Sequence, residues 1–182
     1  MLENTVNHKF VTPSKNNIAI HSKAIQAHTV WLKFNPKTSY INLSNVNRYV
    51  KPLIRMIRVN ADSYLYFDNF IRMSDILEFE AFIEQPFLLI NNNDHEIIKM
   101  AWSEVLKISF YRDVNHPQLW RHLKDDCPPT ILKELMVVDN LNVADYCQFC
   151  GISKDHYDYQ NSRLVNNSKE LGLPQNKSWL DE

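Results

Sequence analysis

Cys147-Gln148-Phe149-Cys150-Gly151 and the histidines around Asp113 are the residues of this chain best suited by type and spacing to do chemistry. A CxxCG segment turns the backbone so that two thiolates face one ion, as in half of a zinc knuckle. A closed site needs two further ligands, and the chain offers only Cys127 with His156 or His122. The same two cysteines equally suit a helix interior, where small thiols pack as hydrophobes. Asp113, His116 and His122 lie close in sequence, and His95-Glu96 adds a second acid–base pair, but nothing beside them fixes a nucleophile. The three cysteines have no evident base partner either. The expectation is therefore a protein that is not an enzyme, with no catalytic residue, no metal and no cofactor assigned.

Glycine sharpens that expectation, because only Gly151 and Gly172 are present. A phosphate-cradling loop or a dinucleotide turn needs two or three glycines so that backbone can approach the phosphate. Neither can be built here, and HExxH, GxSxG and EF-hand patterns are absent as well.

Charge is divided along the chain. Residues 1–60 hold nine Lys/Arg and one acid, Glu3, a charge of +8; the remaining 122 residues hold eleven Lys/Arg against twenty Asp/Glu, a charge of −9. The formal net of −1 conceals this division, which points to a polyanion, a membrane surface or an acidic partner. Apolar residues make up 45% of the chain, a globular composition. No apolar run approaches the roughly 18 residues of a membrane span, and MLENTVNHKF lacks a secretory core, so a cytoplasmic protein with reduced thiols is expected.

The elements that must position these residues follow from periodicity. Residues 1–28 read as a flexible basic arm. In TVWLKFN, Val30, Leu32 and Phe34 alternate with Trp31, Lys33 and Asn35, and SYINLS alternates likewise, which predicts a β-hairpin with Trp31 and Tyr40 on its polar face. Val46, Tyr49, Val50, Leu53, Ile54 and Ile57 predict a helix that begins or kinks at Pro52, with Arg48, Lys51, Arg55 and Arg58 on another stripe. A strand is expected at 63–70, a helix capped by Ser74 through about Glu84, a buried strand at 86–91, and helices at 94–111, 116–124 and 128–138. The last residues, from Asn166, read as a tail.

The segment 142–165, NVADYCQFCGISKDHYDYQNSRLV, resembles the helix-turn-helix of bacterial DNA-binding regulators. Asn142 suits the cap of a helix over Val143–Cys150, Gly151 suits the turn, and Ser153 suits the cap of a second helix to about Leu164. Cys147 is the small residue four before the glycine; Tyr146, Cys150, Ile152 and Tyr157 are the inward apolar positions, with Gln160 a polar exception. The helix at 128–138 would be the first of a three-helix unit. The resemblance implies that the second helix enters the major groove, with Ser153, Lys154, Asp155, Asp158, Tyr159 and Arg163 outward. Lys154 and Arg163 stand against Asp145, Asp155 and Asp158 in this unit, so either phosphate affinity comes from the basic third or the unit docks another protein.

Together these readings give an α+β, mainly helical protein. It has a small N-terminal β-hairpin region and a C-terminal helix-turn-helix-like three-helix unit. The divisions expected are an arm at 1–28, a basic α+β part at 29–112, a helical part at 113–165 and a tail at 166–182. The expected function is double-stranded DNA binding by a homodimeric transcriptional regulator of prokaryotic or mobile-element origin. Lys33, Arg48, Lys51, Arg55 and Arg58 would hold phosphates; Ser153, Lys154, Asp155, Tyr159 and Arg163 would meet bases. The alternative is a non-enzymatic interaction factor whose bipolar charge clamps a protein partner. A single-stranded ligand stacking on Trp31 and Tyr40 is a third possibility. No membrane partner is expected.

Overall fold

In the computed structural model, residues 9–34, 53–78, 87–111 and 113–170 are described. Five short strands form one sheet: β1 (Lys9–Val11), β2 (Ile18–Ile20), β3 (Ile54–Arg58), β4 (Tyr64–Tyr66) and β5 (Phe87–Leu89), in the order β1-β5-β3-β4-β2. β3 is central. It pairs antiparallel with β4, Met56 opposite Tyr66, and parallel with β5, Ile54 opposite Phe87. β1 closes one side antiparallel to β5, and β2 the other side parallel to β4.

Seven helices accompany the sheet among the described residues: α1 (Ile25–Phe34), α2 (Phe70–Glu78), α3 (Asp94–Lys107), α4 (His116–Asp126), α5 (Pro129–Met136), α6 (Val143–Cys150) and α7 (Lys154–Glu170). The chain is thus α+β and mainly helical. α3 is the central helix, packed against α1 on one side and α5 on another. Asn93 caps it by accepting from the N–H of Glu96 at 2.9 Å, and Ile97, Ala101, Trp102, Val105 and Leu106 are its buried stripe. α4 leans on α1 and α5 and presents Trp120 to the α6–α7 pair. One apolar core runs without a break from Ala24 to Tyr157, across the division expected near residue 113.

Several expectations are corrected. From Lys9 onward the segment expected to be a flexible arm supplies two strands of the sheet. TVWLKF is not a strand but the second half of α1. Its buried positions are Ala27, Val30 and Trp31, the last two standing three and four residues after Ala27 on one helical face. The alternation of Val30, Leu32 and Phe34 was coincidental: Leu32 is 52% exposed and Trp31 only 2%. Trp31 packs edge-on to Phe70, which removes it as a platform for a nucleobase. SYINLS, Tyr40 and 46–52 lie outside the described residues. The helix expected to run through Ile57 is, from Ile54, strand β3. Beyond Pro52 the pattern alternates, Ile54 and Met56 buried and Arg55 at the side, and pairing on both flanks selects the extended form. Ser74 is interior to α2 rather than its cap, because the helix begins after Asn69, which holds a left-handed φ of 54°. α7 continues to Glu170, into the stretch expected as tail.

Candidate nucleic-acid interface

The unit over 142–170 is assembled by local capping. Asn142 accepts from the Asp145 N–H at 2.9 Å and returns an amide N–H to that carboxylate at 2.7 Å, which starts α6. Gly151 ends it at φ 68°, ψ 28°, with its N–H on the Gln148 carbonyl at 3.2 Å and the Ile152 N–H on Cys147 at 3.0 Å. No atom stands within 4 Å of where a Cβ would be, so glycine is needed here for its backbone and not for room. Ser153 Oγ accepts the His156 N–H at 3.1 Å and starts α7.

Tyr146 anchors the unit. It is fully buried, stacks on Trp120 with ring centroids 4.8 Å apart, meets Tyr157 edge-on, and places its hydroxyl 3.1 Å from Nδ1 of His116. Burial raises the Tyr146 hydroxyl above its ordinary range, so it stays protonated and hydrogen-bonding. Burial, aided by His156, lowers His116. α6 and α7 therefore rest on α4. The helix expected as the first member of the three-helix unit, now α5, packs on α3 and α4.

Gln160, the polar exception on the inner face, has a structural reason. Its Oε1 accepts the His116 N–H at 2.9 Å and its Nε2 donates to the Val114 carbonyl at 3.1 Å. One side chain of α7 thus satisfies the backbone at the start of α4. Around this contact lies a cleft of about 510 Å³, walled by Asp113, Val114 and Asn115 on one side and by His156, Tyr159, Gln160, Arg163 and Leu164 of α7 on the other. Sequence reasoning left His156 and Gln160 out of the site; the signal available was a lone amide among apolar positions.

The ten expected contact residues divide. Lys154, Asp155, Tyr159 and Arg163 lie exposed on α7, as do His156 and Asp158, and Ser153 lies exposed just before it. Arg163 holds its guanidinium over the Tyr159 ring, 5.4 Å from the centroid. Ser153 is also spent as the helix cap. The basic surface is not brought together in the same way. Lys33 is exposed at the end of α1. Arg55 turns onto the buried Asp68, and Lys23 pairs with Asp94 at 3.0 Å. Arg58 is exposed but donates to the carbonyls of Asn60 and Ala61 in the turn after β3, at 2.9 and 2.7 Å. Arg48 and Lys51 lie outside the described residues.

The acid–base residues do not converge either. His95 faces Glu134 at 3.1 Å, His122 faces Asp126 at 2.7 Å, and His116 faces Tyr146. Among the described residues no group of three or more His, Cys, Asp or Glu side chains is arranged to hold a metal ion. Cys147 is a buried thiol and Cys150 a half-buried one, and burial raises both. No helix among the described residues is long and apolar enough to cross a membrane. Comparison with protein-family models, curated proteins and solved structures finds no match.

Proposed function

We propose that this protein binds double-stranded DNA through the exposed face of α7, acting in the cytoplasm as a homodimeric transcriptional regulator of a prokaryote or mobile element, without catalysis. The observation that carries this reading is the open first half of α7, capped at Ser153 and held behind by Tyr146 on Trp120, while Lys154, Asp155, Tyr159 and Arg163 point to solvent. A helix seated on its own turn and presenting its N-terminal side chains suits a major groove. Arg163 and Lys154 supply charge, Lys33 supplies more, and Asp155 is an acceptor suited to cytosine N4.

Mobility shift on random duplex against single-stranded DNA tests the premise. Duplex retention with a log–log salt dependence is expected, and Lys154→Ala and Arg163→Ala should each reduce the slope by about one. Arg55→Ala should leave the slope unchanged. No retention at low salt would end the proposal.

One observation favours a second reading, a protein-interaction factor. Arg55 is withdrawn into an ion pair, and Asp155 and Asp158 stand on the same exposed helix. A face with two acids and two cations suits a protein of complementary charge. Binding to a protein partner with no duplex affinity would select it.

A further inference from the structure

The Gln160 amide makes three contacts, and two of them fix its orientation. A backbone N–H only donates and a carbonyl only accepts, so the bonds from His116 N–H and to Val114 O identify Oε1 and Nε2 without ambiguity. Nε2 also stands 3.0 Å from Nε2 of His156. An amide nitrogen has no lone pair to offer, so the imidazole Nε2 must be the acceptor. The ring proton then sits on Nδ1.

The backbone groups served are ones that helix formation leaves without partners. The N–H groups of the first turn of α4 have no carbonyl behind them. Asn115 takes that of Gln118 at 3.1 Å, and Gln160 takes that of His116. The contact therefore fixes both the rotation of α7 and its position along its axis. Arg163, three residues on, and His156, four before, share that face and inherit the placement.

We infer that Gln160 is the positioning residue that sets the seat of α7 on the start of α4, and that it keeps the His156 ring proton on Nδ1. The seat and the tautomer stand on these contacts alone, whereas their consequence for DNA rests on the proposed function.

Nitrogen-15 spectra of the intact protein at neutral pH test it first. His156 should show an unprotonated Nε2 and a protonated Nδ1, with the His116 amide protected from exchange. In Gln160→Leu the His116 amide should exchange at least about tenfold faster, the His156 ring should become a mixture of tautomers, and duplex affinity should fall about tenfold. Gln160→Glu separates positioning from bulk, and it serves also where the leucine variant does not fold. Its carboxylate still accepts from His116 but cannot donate, so the His156 signature should move to a protonated Nε2. A protonated Nε2 in the wild type, or unchanged His116 protection in Gln160→Leu, overturns the inference. If the wild type binds no duplex, the proposed function fails, and the spectra still decide the positioning role. If Gln160→Leu frees the His116 amide yet binds duplex as the wild type does, the link from seat to DNA is overturned.

Discussion

Arg55 on β3 directs both Nε and Nη2 at one oxygen of Asp68, a carboxylate sealed from solvent just beyond β4. The other oxygen accepts from the Asn69 amide at 3.1 Å. Burial pushes the Asp68 carboxyl above its ordinary range by more than the guanidinium pulls it down. Desolvation thus cancels much of the attraction, and the pair is worth more as a specification of the sheet than as net stability. It also commits to Asp68 a partly exposed cation whose place in the basic third suggested phosphate.

Breaking this pair should cost more than replacing it. Arg55→Ala leaves a buried carboxylate without its counter-charge and should lose about 2–4 kcal/mol, the lower end reflecting the partial exposure of Arg55. Arg55→Met combined with Asp68→Leu should lose less than either single change. Urea unfolding of the three variants measures this; an Arg55→Ala protein as stable as wild type would rule it out.

At Gly151 the strain is in the backbone alone. Gly151→Ala meets no atom but must hold a left-handed φ of 68°, which costs about 1 kcal/mol. The melting temperature should fall by about 2–4 °C, and Gly151→Asn by less, since asparagine tolerates this region. A much larger loss would mean that the turn is held by packing.

His116 predicts a pH dependence. Its folded value lies below the 6.5 of a free histidine, because of burial and then the neighbouring His156 imidazole. The unfolded chain therefore binds the proton more readily. Stability is fully present above about pH 6.5 and is lost as pH falls through the range below it. His28, lowered by burial, acts in the same direction. His116→Gln should flatten part of the slope of unfolding free energy between pH 7 and 5, and an unchanged slope would exclude His116 as a source.

Thiol reactivity should rank the cysteines. Cys127 is buried with Sγ 3.6 Å from the Pro128 carbonyl, and burial pushes it up to about 12. At pH 8 its alkylation in the native state should be about a thousandfold slower than that of an exposed cysteine. Mass spectrometry of the labelled peptides reads this out; rapid labelling of Cys127 would show that the α4–α5 junction opens.

Long periodic segments were legible because one period dominated them. α3 repeats apolar residues three and four apart from Ile97 to Leu106, and asparagine caps mark the starts of α3, α4 and α6. The α6–Gly151–α7 unit was legible for the same reason, since caps and a left-handed glycine are local devices. Short amphiphilic segments were not. TVWLKF and LIRMIR each satisfy a period of two and a period near four over six residues, too few to separate the two. Within the site, the open face of α7 could be foreseen, whereas the loss of Arg55 to Asp68 depended on a contact thirteen residues away.

The amino-acid order alone determined the caps at Asn142 and Ser153, the turn at Gly151, the mainly helical composition and the exclusion of glycine-built phosphate loops, because each is a property of neighbouring residues. Only the tertiary structure decided which cations remain at the surface, which helix carries the α6–α7 pair, and why a glutamine occupies an apolar face. Those outcomes rest on burial and hydrogen-bond completion between segments far apart in the chain, where desolvation and unpaired backbone groups outweigh local preference.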